Sequence, residues 1–478
     1  MRSNLKSPAS KYKKIMAWLR YQIENENYPK DVRLPSVRQL SRQFKVSLTT
    51  AQRALSELEG EGIIHSVSRS GYFANQRPPK DRNFWAEFSG LEVQVNKDIV
   101  QMLITMAEGD TSPISSAVLG KDLVPDSLLR RCLVSIAQKS TDISAEYLPP
   151  PGYLPLRQRI AVLMASRGIT CAADDIIITS GDSVAMEVAL WSTGEPGDLV
   201  IIEEPTYFGI LMAIEQANFK AFPIATSPIT GLNLDHVEAA LKQHKVAAIV
   251  LNPTLQNPLG HTIPVTNRRK LVELAERHNV TIIEDDVFYD LHPEENRPPA
   301  IKHFETSHSV IYCSSFSKTV SPGYRVGWCV PGKHRSKVMA RMMERTISAS
   351  SLPQQILSDF LRRGYYQPHV ARLRDKLANN ARAIQKIIQD HFPAGTVASD
   401  PDGGFIIWID LPRKINCLQF IELARQQSIF LPKSTVFYAD GREVPSLRIC
   451  FSTGDIRNTL SDLISLGKIA TVLASNND

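Results

Sequence analysis

Lys318 stands in Ser314-Ser315-Phe316-Ser317-Lys318-Thr319, directly after the apolar run VIYC and shortly before Pro322-Gly323. An amine at a strand's end, flanked by hydroxyls, sits above the carboxyl edge of an open α/β sheet, where ligands of such sheets bind. Alone it signifies little, because lysines are mostly solvated surface residues. Its companions give it weight. Asp285-Asp286 ends a second apolar run, a costly place for two carboxylates unless something cationic is bound. Asn257-Pro258-Leu259-Gly260 follows a third run. Thr179-Ser180-Gly181-Asp182-Ser183 follows a fourth and opens a helical stretch, whose N-terminus suits an anion. Arg325 comes seven residues after Lys318. The strand ends together offer an amine, an acid, an amide and an anion nest. Each has a plainer reading, since Asn before Pro is common in loops and Gly181 and Gly260 serve equally as turns.

The elements that must position these residues are short apolar strands: IIITS, DLVIIEE, AAIVLNP, VTIIEDD and SVIYCSS. From about residue 113 they alternate with helical segments, the signature of an α/β domain with a mainly parallel sheet. The stretch Gly403–Thr453 carries GGFIIWIDL and SLRICFS and predicts a smaller α+β unit. A length of 478 residues argues for two to four domains at roughly 100–200 residues each. With 43% hydrophobic and 22% charged residues, the chain is too apolar for a disordered protein. Cys132, Cys171, Cys313, Cys329, Cys417 and Cys450 lie far apart without a CxxC pair, which excludes a disulfide scaffold and a readable zinc site. No run reaches the roughly 18 apolar residues of a membrane span, and the opening MRSNLKSPASKYKK lacks the apolar core of a secretory signal. A cytoplasmic protein without a membrane partner is expected.

Charge is unevenly spread. Residues 1–80 hold 15 Lys and Arg against 6 Asp and Glu, whereas the remainder holds 40 against 43. Within the basic part, Tyr12–Ile23 places Ile15, Met16, Leu19 and Ile23 at helical spacing. Ser36 and Gln39 form a capping box that starts a helix running to Phe44, and Ser47–Glu61 predicts a third. The pieces IIHSV and GYFAN, joined around Ser68–Gly71, complete a winged helix-turn-helix layout. Thr49, Thr50, Gln52 and Arg53 face outward from the third helix, where base edges would be met in a major groove. Arg38 near the start of the preceding helix suits a phosphate. Gly71, with Arg69 beside it, would let the wing's backbone approach a groove. A small helical domain with a solvated basic face explains charge and pattern equally well.

The residues LPSVRQLSRQFKVSLTTAQRALSELEGEGII (Leu34–Ile64) and Ser70–Phe73 resemble the GntR-superfamily winged helix over nearly the whole domain. The resemblance implies that Arg38 contacts phosphate or base and that Ser47 to Arg53 belong to the recognition helix. Leu48 and Gln52 depart from positions where the family commonly has Arg, so Gln52 is expected to read adenine through its N6/N7 edge.

Residues from about 113 to 470 resemble a fold-type I, aminotransferase-like domain that binds pyridoxal 5′-phosphate (PLP). The motifs are AEYLPPPGYLPLRQRIA, ITSGDSVAMEVAL, EEPTYFG, NPTLQNPLG, IIEDDVFYDL, SSFSKTVSPGYRVGW, DPDGGFIIW and LRICFS. A winged helix and this domain in one chain is the arrangement of the MocR subfamily of GntR regulators. The implied boundaries are 8–76 for the DNA-binding domain, 77–112 for a linker and 113–474 for the PLP domain, with a small subdomain from about 375. The resemblance implies an imine between Lys318 and PLP, Asp285 on the pyridine nitrogen, Asn257 on the phenolic oxygen and Tyr207 stacked on the ring. Ser180, Gly181, Asp182, Ser315 and Arg325 would cradle the phosphate, and Tyr147 would reach the phosphate of the neighbouring subunit of a homodimer. Arg448 would clamp the carboxylate of a substrate or effector in bidentate fashion.

Asp182 departs from the small or hydroxylated residue usual in the family, and Ser183 from the frequent Gln. Phe288 stands where the family often has Tyr, so Tyr289 supplies that hydroxyl only in a shifted register with Asp286 as the ring partner; Asp285 fits the preceding IIE better. The expected function is a PLP-dependent transcriptional regulator that binds operator DNA and senses PLP, an amine or an amino acid. The rivals are a working aminotransferase acting on an amino acid and a 2-oxo acid, and an interaction protein with a decayed site.

Overall fold

The computed structural model describes residues 9–24, 28, 33–44, 46–60, 63–67, 70–74, 90–93, 97–108, 114–139 and 147–475. Arg69, predicted at the wing, lies outside these. Helix α1 (Ala9–Glu24) buries Ile15, Trp18, Leu19 and Ile23, an apolar stripe at helical spacing. Ser36 caps α2 (Val37–Gln43) through the capping box with Gln39. Helix α3 (Leu48–Gly60) turns Ala51, Ala54, Leu55 and Leu58 inward. Trp18 packs edge-on against Phe44, ring centroids 5.6 Å apart, and closes this small core. Strands β1 (Ile64–Val67) and β2 (Gly71–Ala74) form the antiparallel wing.

The larger domain is built on one mixed sheet in the order β3-β6-β5-β8-β9-β10-β11-β4. Its strands are β3 (Leu91–Glu92), β4 (Ile177–Thr179), β5 (Leu199–Glu204), β6 (Lys220–Ser227), β8 (Val246–Leu251), β9 (Thr281–Asp285), β10 (Val310–Ser315) and β11 (Gly327–Val330), with β7 (Gly231–Leu232) paired to β6. Pairings from β6 through β10 are parallel; β11 runs against its neighbours β10 and β4, and the short β3 runs against β6. Strands buried on both faces read as continuous apolar runs, and β5, β8 and β10 are buried throughout. Because β4, β5, β8, β9 and β10 share one direction, their carboxyl ends emerge along a single edge. A second unit pairs β12 (Val397–Ala398), β13 (Ile406–Asp410) and β14 (Ser446–Cys450) antiparallel, beside the helices Tyr366–His391 and Arg457–Ser475. The segment before residue 121 crosses to it, with Cys450 N donating to Ile114 O at 2.8 Å and Gly120 N to Ser452 O at 2.7 Å. Among the described residues no helix is long and apolar enough to cross a membrane, and no His, Cys, Asp and Glu cluster could hold a metal ion.

Glu284 and Asp285 end β9 and Asp286 follows directly, and the alternation of the extended chain sorts the three acids. Glu284 accepts the backbone N–H groups of Ile301 at 2.7 Å and Lys302 at 3.0 Å. Asp286 accepts from the Tyr312 hydroxyl at 3.1 Å and feels the nearby guanidinium groups of Arg268 and Arg167. Arg167, 2% exposed, also donates to Asp290 at 2.6 Å and to Ser314 Oγ at 3.2 Å. Asp285, between the two, faces the other way. Removing the Arg167 charge strands the buried Asp290 carboxylate. Arg167→Met is therefore expected to lower stability by about 3–5 kcal/mol, read as a fall in the urea midpoint; an unchanged midpoint contradicts this account of the network.

Candidate functional site

The strand ends converge on a cavity of ≈ 140 Å³ lined by Asp182, Ser183, Tyr207, Asn257, Asp285, Val287, Phe288, Ser315, Ser317, Lys318 and Arg325. Lys318 follows β10 after two residues; its Nζ donates to the Ala117 carbonyl at 2.7 Å and lies 6.0 Å from the Phe288 ring centre. Burial pushes the Lys318 amine below its ordinary pKa, and the nearby Asp285 carboxylate opposes that shift in part. Burial likewise pushes Asp285 up to about 7, against the pull of the Val287 N–H, which its Oδ1 accepts at 3.4 Å. The Asp285 and Asp182 carboxyls hydrogen-bond each other. Tyr207 enters from the loop after β5, and burial pushes its hydroxyl up to about 12. Asn257 is fixed by its backbone N–H on Asn252 Oδ1 at 2.9 Å, and its own Oδ1 accepts from Arg448 Nη1 at 3.3 Å.

A helix N-terminus and an arginine stand together at the cavity wall. Gly181 caps the helix Asp182–Thr193 with φ +89°, and Arg325 adopts φ +49° beside it. Arg325 Nη2 approaches the Ser180 carbonyl at 3.4 Å and Nη1 approaches Ser317 Oγ at 3.4 Å. A Cβ at Gly181 would lie 2.3 Å from Arg325 Nη2, so the guanidinium fills the space that only glycine leaves.

Other predicted residues lie elsewhere. Tyr289 does not line the cavity: its ring lies under the Arg167 and Arg297 guanidinium groups, and its hydroxyl points to Ser166 O at 3.4 Å. Asp286, the shifted-register alternative, sits in the same network behind the sheet. Ser180 offers its carbonyl to Arg325, and its side chain is not among the lining groups. Arg448 is buried behind Asn257, donating to Ser115 O at 2.6 Å, with its Nε unpartnered among the described residues. Tyr147 is 75% exposed, away from its own chain's cavity. Ser183, Val287, Phe288 and Ser317 line the cavity beyond the predicted set. The carbonyls of Ala117 and Ser115, equally unforeseen, hold Lys318 and Arg448. Ser317 was readable from its place beside Lys318; a backbone carbonyl leaves no signal in residue type.

On the winged helix, Ser47 Oγ accepts the Thr50 N–H at 3.1 Å and its hydroxyl meets those of Thr49 and Thr50 at 2.8 and 2.7 Å. Gln52 is exposed, with Nε2 donating to the Tyr72 hydroxyl of β2 at 2.9 Å. Arg53 turns back over the Tyr12 ring at 4.2 Å and pairs with Glu57 at 3.6 Å. Arg38 is exposed on the first turn of α2. Gly71 takes φ +112° against Arg33, whose Nε a Cβ would meet at 2.9 Å. Leu48 is 52% exposed at the start of α3.

A GntR-type winged helix joined to a fold-type I aminotransferase domain defines a two-domain transcriptional regulator. Residues 11–73 match the gntR family of bacterial regulatory proteins, and residues 121–463 match the class I and II aminotransferases. The uncharacterised HTH-type transcriptional regulator YjiR of Escherichia coli is 33% identical over 448 residues, 92% of this chain and 94% of that protein. NorG, an HTH-type transcriptional regulator of Staphylococcus aureus, is 28% identical over 88% of this chain and 95% of its own. The Pyrococcus horikoshii kynurenine aminotransferase, solved in complex with PMP, superposes with TM-score 0.72 and 27% identity, covering 80% of this chain and 95% of that one. The chain belongs to the MocR subfamily of GntR regulators, with a class I/II aminotransferase domain. The cofactor of that domain is pyridoxal 5′-phosphate. The residues present fit it: a buried amine, a carboxyl and an amide for the ring, and the Arg325 guanidinium packed against Gly181, where a Cβ would displace it from the helix N-terminus.

Gly181→Ala should weaken PLP binding by about ten-fold or more, followed by quenching of protein fluorescence. Gly197→Ala is the control, because Gly197 has φ +93° with nothing within 4 Å of an added methyl group. Equal effects in both variants would reduce the role of Gly181 to backbone strain.

Proposed function

We propose that this chain is a PLP-dependent, DNA-binding transcriptional regulator that senses PLP, an amine or an amino acid through a covalent link at Lys318. The observation that carries the reading is the Lys318 amine, buried in the cavity, pushed by that burial below its ordinary pKa and held by the Ala117 carbonyl beside Asp285. Bound PLP supplies an aldehyde and an electron-withdrawing ring. Asp285 holds a proton at the ring nitrogen, Asn257 donates toward the phenolic oxygen, and Tyr207 bounds one ring face. Gly181, Ser315 and Arg325 hold the phosphate at the N-terminus of the helix Asp182–Thr193. Arg448 receives an effector carboxylate, exchanging its bond to Asn257 for one to the ligand. Tyr147, exposed, completes the partner subunit's phosphate site in a homodimer.

A structural route supports regulation. Glu204 ends β5, lies beside Gln22 of α1 and pairs with Arg442 at 2.9 Å. Arg442 also pairs with Asp440 at 3.0 Å, and Tyr28 is buried beside these charges. Tyr207, three residues after Glu204, lines the cavity. An effector that moves Tyr207 thus acts on the segment that the winged helix grips. Such a ligand changes DNA affinity only through different affinities for two arrangements, typically about 1–3 kcal/mol.

With PLP, the wild type should develop a visible absorption band that Lys318→Ala lacks. Its pH midpoint should fall below the roughly 10.4 of a free lysine, because burial frees the amine at lower pH. No band in either protein excludes the covalent link. On DNA, Arg38→Ala should weaken binding across sequences and reduce the salt slope by about 1, whereas Gln52→Ala should relax preference at one position. Rapid steady-state amino transfer to a 2-oxo acid, without salt-sensitive DNA preference, would favour the aminotransferase instead.

A further inference from the structure

Asp182 is a carboxyl where a phosphate is to be held. It is the first residue of the helix Asp182–Thr193, directly after Gly181. An ionised carboxylate there repels an anion. Its carboxyl lines the cavity and hydrogen-bonds that of Asp285, while its Oδ1 is sealed from solvent with no partner among the described residues. Two carboxylates can share a hydrogen bond only when one carries a proton. Asp285 accepts the Val287 N–H, which favours its ionised form.

We propose that Asp182 is a positioning residue that carries the proton of this carboxyl pair and so keeps Asp285 ionised and aimed at the cofactor's ring nitrogen. Burial and the Asp285 charge both push the Asp182 carboxyl well above the ordinary carboxylate range. The groups facing it are Asp285 on β9, Lys318 and Arg325 after β10, Tyr207 after β5, and Cys313 and Cys329 on the sheet. Lys318 and Arg325 pull in the opposite direction, each less than burial pushes. Protonated Asp182 does not repel the phosphate, and the pair presents one negative charge to the ring. The site tunes its acid through a neighbour instead of through backbone donors alone. The inference rests on the reading that the cavity takes PLP.

Asp182→Asn keeps shape and a donor, whereas Asp182→Ala keeps neither. Infrared difference spectra of the cofactor-free protein at neutral pH should show a protonated-carboxyl stretch in wild type that Asp182→Asn lacks. Asp182→Ala gives the same difference should the Asn variant not fold. PLP affinity and the pH midpoint of the visible band should stay within about two-fold of wild type in Asp182→Asn, and affinity should fall about ten-fold or more in Asp182→Ala. Tighter binding in Asp182→Asn, equal weakening in both variants, or no infrared difference each overturns the proposal. Because the infrared signal is read without cofactor, a wild type that binds no PLP sinks the cofactor reading while the protonation of the pair is still decided.

Discussion

Removal of Lys318 and Asp285 from water into one cavity is the interaction on which the larger domain turns. Burial disfavours the charged form of each, and their attraction works against that penalty. The balance leaves an amine that loses its proton more easily than a surface lysine and a carboxyl whose pKa burial has pushed up to about 7. Parallel strand direction makes this possible, since β9 and β10 are neighbours whose carboxyl ends emerge on the same edge. The acids on either side of Asp285 would ruin the balance if they faced the cavity. Alternation along the extended chain sends Glu284 to the backbone amides of Ile301 and Lys302, and Asp286 to Tyr312 and the Arg167 and Arg268 charges. The network behind the sheet thus absorbs the charge that the cavity excludes.

The same rule, that buried charges must be compensated, operates where the two domains meet. Glu204, Arg442 and Asp440 are buried together and compensate one another, with Tyr438 stacked 4.1 Å from the guanidinium. Such a cluster tolerates little sliding, because separating one partner leaves an uncompensated buried charge. Its discrete geometry suits two defined arrangements better than a continuum. The helix Lys97–Glu108 adds a second tether, Asp98 accepting from Lys433 at 2.6 Å and from Thr435 at 2.8 Å. Both contacts fall on the stretch 433–442, which therefore meets the linker helix and the winged helix together.

The sequence made the strand ends legible because short apolar runs closed by polar residues have few other uses. The capping box at Ser36 and the stripe Ala51, Leu55, Leu58 were equally plain, being local. Orientation was harder. Tyr289 is one residue past Phe288 in a 3₁₀ turn, and that single step carries its ring out of the cavity and under Arg167. Arg53 faces outward on a helical wheel, yet the Tyr12 ring of α1 draws it back, a tertiary contact with no local signature. The Ala117 and Ser115 carbonyls that hold Lys318 and Arg448 come from some two hundred residues or more upstream and carry no side-chain signal.

The recognition helix shows how such a tertiary contact can organise a reading surface. Gln52 donates one amide N–H to Tyr72 on the wing. A glutamine amide has two N–H groups and an accepting oxygen. An adenine edge in the major groove asks for one donor to N7 and one acceptor from N6. With one N–H on Tyr72, the Gln52 amide still has a second N–H and its oxygen, the pair that the proposed adenine contact would use. Leu48, exposed on the same helix one turn earlier, presents an apolar surface of the kind that a thymine methyl meets. On the proposed DNA-binding reading, the positions at which this helix departs from a basic pattern would exchange charge for shape and hydrogen-bond direction. The phosphate attraction that this removes would, on that reading, fall to Arg38 and the rest of the basic N-terminal segment.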